Sequence, residues 1–189
     1  MRKVVLFAHM SLDGFAGDIN GGLNFLTYDQ ELQQYADEVV KTVGAPLYGR
    51  TTYHLMEGYW PTVLNQPAAD THSLAHAQWV QDIPKVVFST TLDTADWNNT
   101  TLIKDNVVEA VTKLKEEPGK DLVIFGSPGL AKSFMKLGLI DECKLTLHPV
   151  IMGNGISLFD SNITKSSLKL LDTKTLKSGV VTLHYAVNK

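Results

Sequence analysis

The sequence predicts one α/β domain over residues 1–189, with a mostly parallel central sheet, helices on both faces and an antiparallel C-terminal hairpin. Three observations predict it. Val4-Val5-Leu6-Phe7-Ala8 and Leu122-Val123-Ile124-Phe125 are apolar runs without polar alternation, the pattern of strands buried on both faces. Segments of helical period separate the short β-branched runs, as βαβ units require. From Lys144 onward the pattern changes to apolar–polar alternation, which marks antiparallel strands.

Each element follows from local signals. After Val4 to Ala8 comes a long loop, punctuated by Asp13-Gly14, Gly17-Asp18 and Asn20-Gly21-Gly22. A helix is expected from Thr27, because Thr27-Tyr28-Asp29-Gln30 has capping-box spacing. Leu32, Tyr35, Ala36, Val39, Val40 and Val43 follow at helical spacing, and Gly44 closes the segment. Ala45 to Gly49 reads as a strand feeding a helix from Arg50 to Tyr59. Ala69 to Gln81 reads as a looser helix, then Lys85 to Ser89 and Thr100 to Ile103 as strands. Asp105 to Glu116 is amphipathic and ends at Pro118-Gly119. Beyond Phe125, Gly126-Ser127-Pro128-Gly129 turns into a helix ending near Gly138. Lys144 to His148, Ser167 to Leu171 and Val180 to Val187 complete the sheet.

Composition narrows the function classes. A chain 44% hydrophobic and 20% charged is globular rather than disordered. Its net charge of −3 supplies no basic footprint, so nucleic acid is not an expected partner. Cys143, the single cysteine, makes no internal disulfide, which fits a reducing, cytoplasmic compartment. The N-terminal apolar run is interrupted by His9, Ser11 and Asp13, unlike a signal peptide, and no segment approaches a membrane span.

In an open α/β sheet, ligands bind at the carboxyl ends of strands, where helix N-termini present N–H groups. Three strand ends carry suitable residues. At Tyr48-Gly49-Arg50-Thr51-Thr52, Gly49 lets backbone approach a ligand and Arg50 can fork onto a phosphate. The same residues would also serve as a plain turn and a surface charge. Ser89-Thr90-Thr91 offers hydroxyls, which are also ordinary capping groups. Gly126-Ser127-Pro128-Gly129 joins an apolar strand to a helix, an arrangement that seats a pyrophosphate or simply caps the helix. His72 and His76 have the i, i+4 spacing of metal ligands but no third ligand nearby, so a polar surface helix is expected and no metal. Cys143 is expected as a small buried residue, and Trp60, Trp79 and Trp97 as packing. No Gly-x-Ser-x-Gly elbow supports a hydrolase.

The order of these motifs resembles the dihydrofolate-reductase-like superfamily. Ser11-Leu12-Asp13-Gly14, Tyr48-Gly49-Arg50-Thr51-Thr52-Tyr53, Val87-Phe88-Ser89-Thr90 and Ile124-Phe125-Gly126-Ser127-Pro128-Gly129-Leu130 carry the likeness. Leu137-Gly138-Leu139-Ile140-Asp141-Glu142, His148-Pro149-Val150-Ile151-Met152-Gly153-Asn154-Gly155 and Leu158-Phe159 narrow it to the RibD C-terminal reductase family. The resemblance implies NADPH as hydride donor. It places Gly49, Arg50 and Thr51 at the adenosine 2′-phosphate, with Ser89 and Thr90 at the same end. Gly126, Ser127, Gly129, Leu130 and Ala131 would hold the pyrophosphate. Ala8 and the loop Ser11 to Gly17 would lie against the nicotinamide. Relatives often dimerise, so a homodimer is expected.

Two departures stand out. The family commonly joins a Gly-Gly pair by a cis peptide where this chain has Gly126-Ser127. Such a bond costs roughly 3–4 kcal/mol, and it is expected to persist, with the Ser127 Cβ directed away from the cofactor. The second concerns substrate. True riboflavin-pathway reductases resemble Lys-x-Ala-x-Ser-Leu-Asp-Gly at the first strand and carry further basic residues after it for a ribose phosphate. Here His9-Met10 precedes the loop, and Asn24 to Val43 holds one basic residue, Lys41.

The expected function is an NADPH-dependent reductase resembling 5-amino-6-(5-phosphoribosylamino)uracil reductase of riboflavin biosynthesis, acting on a pyrimidine- or pteridine-like heterocycle. Dihydrofolate reductase proper and a non-catalytic nucleotide-binding protein are the alternatives. Asp13 is the candidate for orienting substrate or relaying a proton, with a pKa raised by burial, and Asp29 and Glu31 stand behind it. Asp13-Gly14 is also a common turn pair.

Overall fold

β1 (Val4–Ser11) runs through the interior of an eight-stranded sheet of order β4-β3-β2-β5-β1-β6-β8-β7. The computed structural model describes residues 1–159 and 165–188. β1 pairs in parallel with β5 (Asp121–Phe125) on one side and β6 (Glu142–His148) on the other. β2 (Val43–Gly49), β3 (Lys85–Phe88) and β4 (Thr100–Ile103) extend the parallel part. β7 (Leu168–Thr175) and β8 (Val181–Val187) form the antiparallel hairpin, β8 lying against β6.

The apolar runs are buried on both faces, as their lack of alternation requires. Val4, Leu6 and Ala8 join Leu122 and Ile124 against α4 (Val107–Glu116) and α5 (Pro128–Lys136), through Val111, Leu130, Ala131 and Phe134. Val5, Phe7 and Val123 face α1 (Gln30–Val40) through Val39. On the same face, α2 (Arg50–Val63) and α3 (Thr71–Asp82) set Tyr53 and Val80 against Tyr48, Val87 and Trp97. Burying each such side chain contributes on the order of 1.5–3 kcal/mol.

Element ends differ from expectation where a stronger local partner exists. α1 starts at Gln30 rather than Thr27, because the Asp29 carboxylate accepts the Leu32 amide at 2.9 Å and is the true cap. α2 continues through Pro61 to Val63, four residues past the expected end. The looser segment is helical as expected, but His76 is not on a polar surface. Its ring packs 4.4 Å from Trp60 and 5.1 Å from Trp79, while His72 pairs with Asp37 at 2.9 Å. No cluster of metal-ligating side chains occurs among the described residues. Cys143 is buried, and burial pushes its thiol up to about 11.

Candidate functional site

Two βα turns and the β3–β4 connection meet at the carboxyl edge of the parallel strands. The β2–α2 turn brings Gly49, Arg50 and Thr51; the segment after β3 brings Ser89 and Thr90; the β5–α5 turn brings Gly126, Ser127, Gly129 and Leu130. All nine line one groove of about 640 Å³, although they come from three distant stretches of sequence. The turns are tied together directly. Gly49 donates its amide to the Ser127 hydroxyl at 2.9 Å, and Arg50 Nη1 donates to Thr91 Oγ1 at 2.9 Å.

Gly126 and Ser127 adopt positive φ of 57° and 43°. The described residues contain no cis peptide, which corrects the expectation at 126–127: two successive left-handed residues make the reversal with a trans bond. The Ser127 side chain is buried, with its hydroxyl against Gly49. A Cβ built on Gly126 or Gly129 would meet nothing within 4 Å, so both glycines border open room.

At the start of α5 the amides divide. Pro128 has no N–H, and Ala131 donates to the Ser127 carbonyl at 2.9 Å within the helix. Gly129 and Leu130 therefore carry the N–H groups that the first turn leaves for an outside acceptor. Ala131 is fully buried in the core, so it supports the turn from behind instead of lining the groove. Ala8 is likewise buried, facing the α4 and α5 side.

The loop after β1 forms another wall through Ala16 and Gly17. It is laced to the segment 150–158: Leu12 donates to Val150, Ala16 to Ile156, and Ile156 back to Gly17. Asp13 belongs to this lacing. Its carboxylate accepts the Met152 and Gly153 amides at 3.1 and 2.7 Å and the Ser11 hydroxyl at 2.7 Å. The Ser11 hydroxyl, with the two amides, draws its pKa down to about 2. This corrects the expected raised pKa: the group is exposed and stabilised as an anion by donors. Asp29 caps α1, and Glu31 accepts the Lys177 amide at 2.7 Å.

Sequence reasoning missed Ile103, Lys104 and Ile156 in the groove wall. Lys104 immediately follows β4, a strand end that could have been read by the same rule as the others. It also missed a polar cluster on β1 and β6. His9 Nδ1 lies 2.6 Å from Thr146 Oγ1, which lies 3.3 Å from His148 Nε2.

A groove at the carboxyl edge of a parallel sheet, walled by the β2–α2 and β5–α5 turns and the segment after β3, defines the class, an α/β protein with a cleft at its strand ends. The chain belongs to the RibD C-terminal domain family, whose profile matches residues 2–182. It is 34% identical over 191 residues to the uncharacterized protein YyaP of Bacillus subtilis (strain 168), covering 99% of this chain and 96% of that protein. Its fold is dihydrofolate-reductase-like. A Shewanella sp. PV-4 protein named for riboflavin biosynthesis superposes with a TM-score of 0.76 at 20% identity, over 99% of each chain. A Thermotoga maritima diaminohydroxyphosphoribosylaminopyrimidine deaminase/5-amino-6-(5-phosphoribosylamino)uracil reductase gives 0.69 at 15% identity, over 99% of this chain and 57% of that one. Enterococcus faecalis dihydrofolate reductase complexed with NADP(H) gives 0.62 at 12% identity, over 99% and 97%.

Proposed function

We propose that the protein is an NADPH-dependent reductase of a pyrimidine- or pteridine-like heterocycle, related in reaction to 5-amino-6-(5-phosphoribosylamino)uracil reductase. The observation that carries this reading is the meeting of the β2–α2 turn, the segment after β3 and the β5–α5 turn in one groove. The donors there fit a dinucleotide. Gly129 and Leu130 amides suit a pyrophosphate, while Arg50, Thr51, Ser89 and Thr90 suit a ribose 2′-phosphate. When bound, NADPH supplies the hydride. The chain's own part is to hold the two reactants close and exclude water. Family membership and the likeness to a dihydrofolate reductase carrying NADP(H) support the reading. Asp13 enters it as an anchor that positions the loop Ser11 to Gly17, not as a proton donor.

The same reading includes a homodimer. Every residue of edge strand β7 is exposed, including Leu168, Leu170 and Leu171, and an apolar edge of this kind is a pairing surface. No helix among the described residues is long and apolar enough to cross a membrane.

The test is a fluorescence titration with NADPH and NADH, followed by turnover with the phosphoribosylaminopyrimidine and with dihydrofolate. Saturable NADPH binding and faster oxidation with the pyrimidine are expected. Preference for dihydrofolate would favour the folate reaction, and binding without turnover of either would favour a non-catalytic role. Sedimentation at micromolar protein should give twice the chain mass; a monomer would contradict the dimer.

A further inference from the structure

We propose that His9 recognises the substrate, donating a single hydrogen bond from Nε2 to a carbonyl oxygen or imine nitrogen of an uncharged planar heterocycle. This rests on the reductase reading above and names the substrate feature it selects.

The donor is fixed by a chain of hydrogen bonds whose direction is set at one end. The backbone N–H of Thr27 can only donate, and it lies 3.3 Å from His148 Nδ1. In a neutral imidazole the proton must then sit on Nε2, which faces Thr146 Oγ1 at 3.3 Å. With that bond accepted, the Thr146 hydroxyl donates its own proton to His9 Nδ1 at 2.6 Å. His9 is left with its proton on Nε2. That atom bonds no protein group among the described residues, yet it is not sealed from solvent. His148 and Thr146 are fully buried, so the relay is a fixed part of the interior. Burial also disfavours protonation of both rings, holding His9 down to about 4, so the chain stays neutral at pH 7.

Position does the rest. Phe7 pairs with Phe125, a groove residue, and the Gly126 amide donates to the Phe7 carbonyl at 2.8 Å. His9 lies two residues further along β1, past the level at which β5 ends, next to the groove residues in register and not among those that line it. The Phe7, Tyr28 and His148 rings stand edge-on to it at 5.2, 6.4 and 5.8 Å and fix its orientation. Lys41, the lone basic residue of Asn24 to Val43, caps the far end of α1. A neutral donor among aromatic edges selects an acceptor atom on a ring, not an anion.

The experiment is nitrogen-15 histidine NMR on the full chain saturated with NADP+, with 5,6-diaminouracil as the uncharged probe. His9 and His148 should both show the Nε2–H tautomer, and the probe should move the His9 Nε2 resonance more than that of His148. His9→Phe should weaken the probe about tenfold while NADP+ binding is unchanged. Thr146→Val, which keeps the His9 ring, should shift His9 toward a tautomer mixture. An Nδ1–H tautomer at His9, no binding of the probe, or equal affinity in His9→Phe would overturn the proposal. Failure to bind NADP+ would instead contradict the reductase reading.

Discussion

The backbone N–H of Gly49 donates to the Ser127 hydroxyl across 2.9 Å, so the turn that opens α2 is stitched to the turn that opens α5. Ser127 thus gains a structural bond that a glycine could not make. Its cost is a non-glycine residue at φ 43°.

That relationship predicts an order among variants. Ser127→Ala keeps the backbone strain and loses the bond, so it should lower unfolding stability by about 1 kcal/mol. Ser127→Gly loses the bond but relieves the strain, and should lie closer to the parent. Urea midpoints check this; Ser127→Gly as the weaker of the two would contradict it.

Arg50 is exposed at the groove mouth and held by Thr91. Arg50→Gln should weaken NADPH by roughly 10- to 100-fold, the worth of a charge-assisted hydrogen bond, and leave NADH unchanged. Parallel NADPH and NADH titrations decide it. Equal losses for both would remove Arg50 from the 2′-phosphate.

The strands and the groove were legible in the sequence for one physical reason. A strand buried on both faces must be apolar throughout, and a βα turn that faces a ligand must combine glycine with polar donors at a strand end. What stayed hidden depends on partners remote in sequence. His9 meets Thr146 across 137 positions; alone, His9 reads as the end of an apolar run and Thr146 as an alternating strand residue. Asp13 is claimed by backbone amides, which no side-chain pattern announces. His76 departs from the surface reading because Trp60, from another helix, packs on it beside Trp79 of its own.

Asp13 should act by holding the loop. Asp13→Asn weakens the acceptors of the Met152 and Gly153 amides, so those amides should exchange faster with deuterium and turnover should fall with NADPH affinity near normal. With the Asp13 carboxyl at about 2, no pH–rate limb between pH 5 and 8 should belong to it. Unchanged amide exchange or unchanged turnover in the variant would contradict this role.

His76 gives stability a pH dependence. Burial holds its folded-state pKa down to about 4, against an ordinary value of 6.5. Between those values the unfolded chain takes a proton that the folded chain refuses, so stability falls as pH drops from 6.5 to 4. His9 acts in the same direction. His76→Phe keeps a ring against Trp60 and Trp79 and should flatten the decline in urea midpoint; an overlapping pH profile would contradict it.

The most direct test of the cofactor cradle is amide chemical-shift mapping during a titration with NADP+. The account predicts the largest shifts at Gly49, Arg50, Thr90, Gly129 and Leu130, saturating together. Shifts confined to other surfaces, or none at saturating nucleotide, would contradict it.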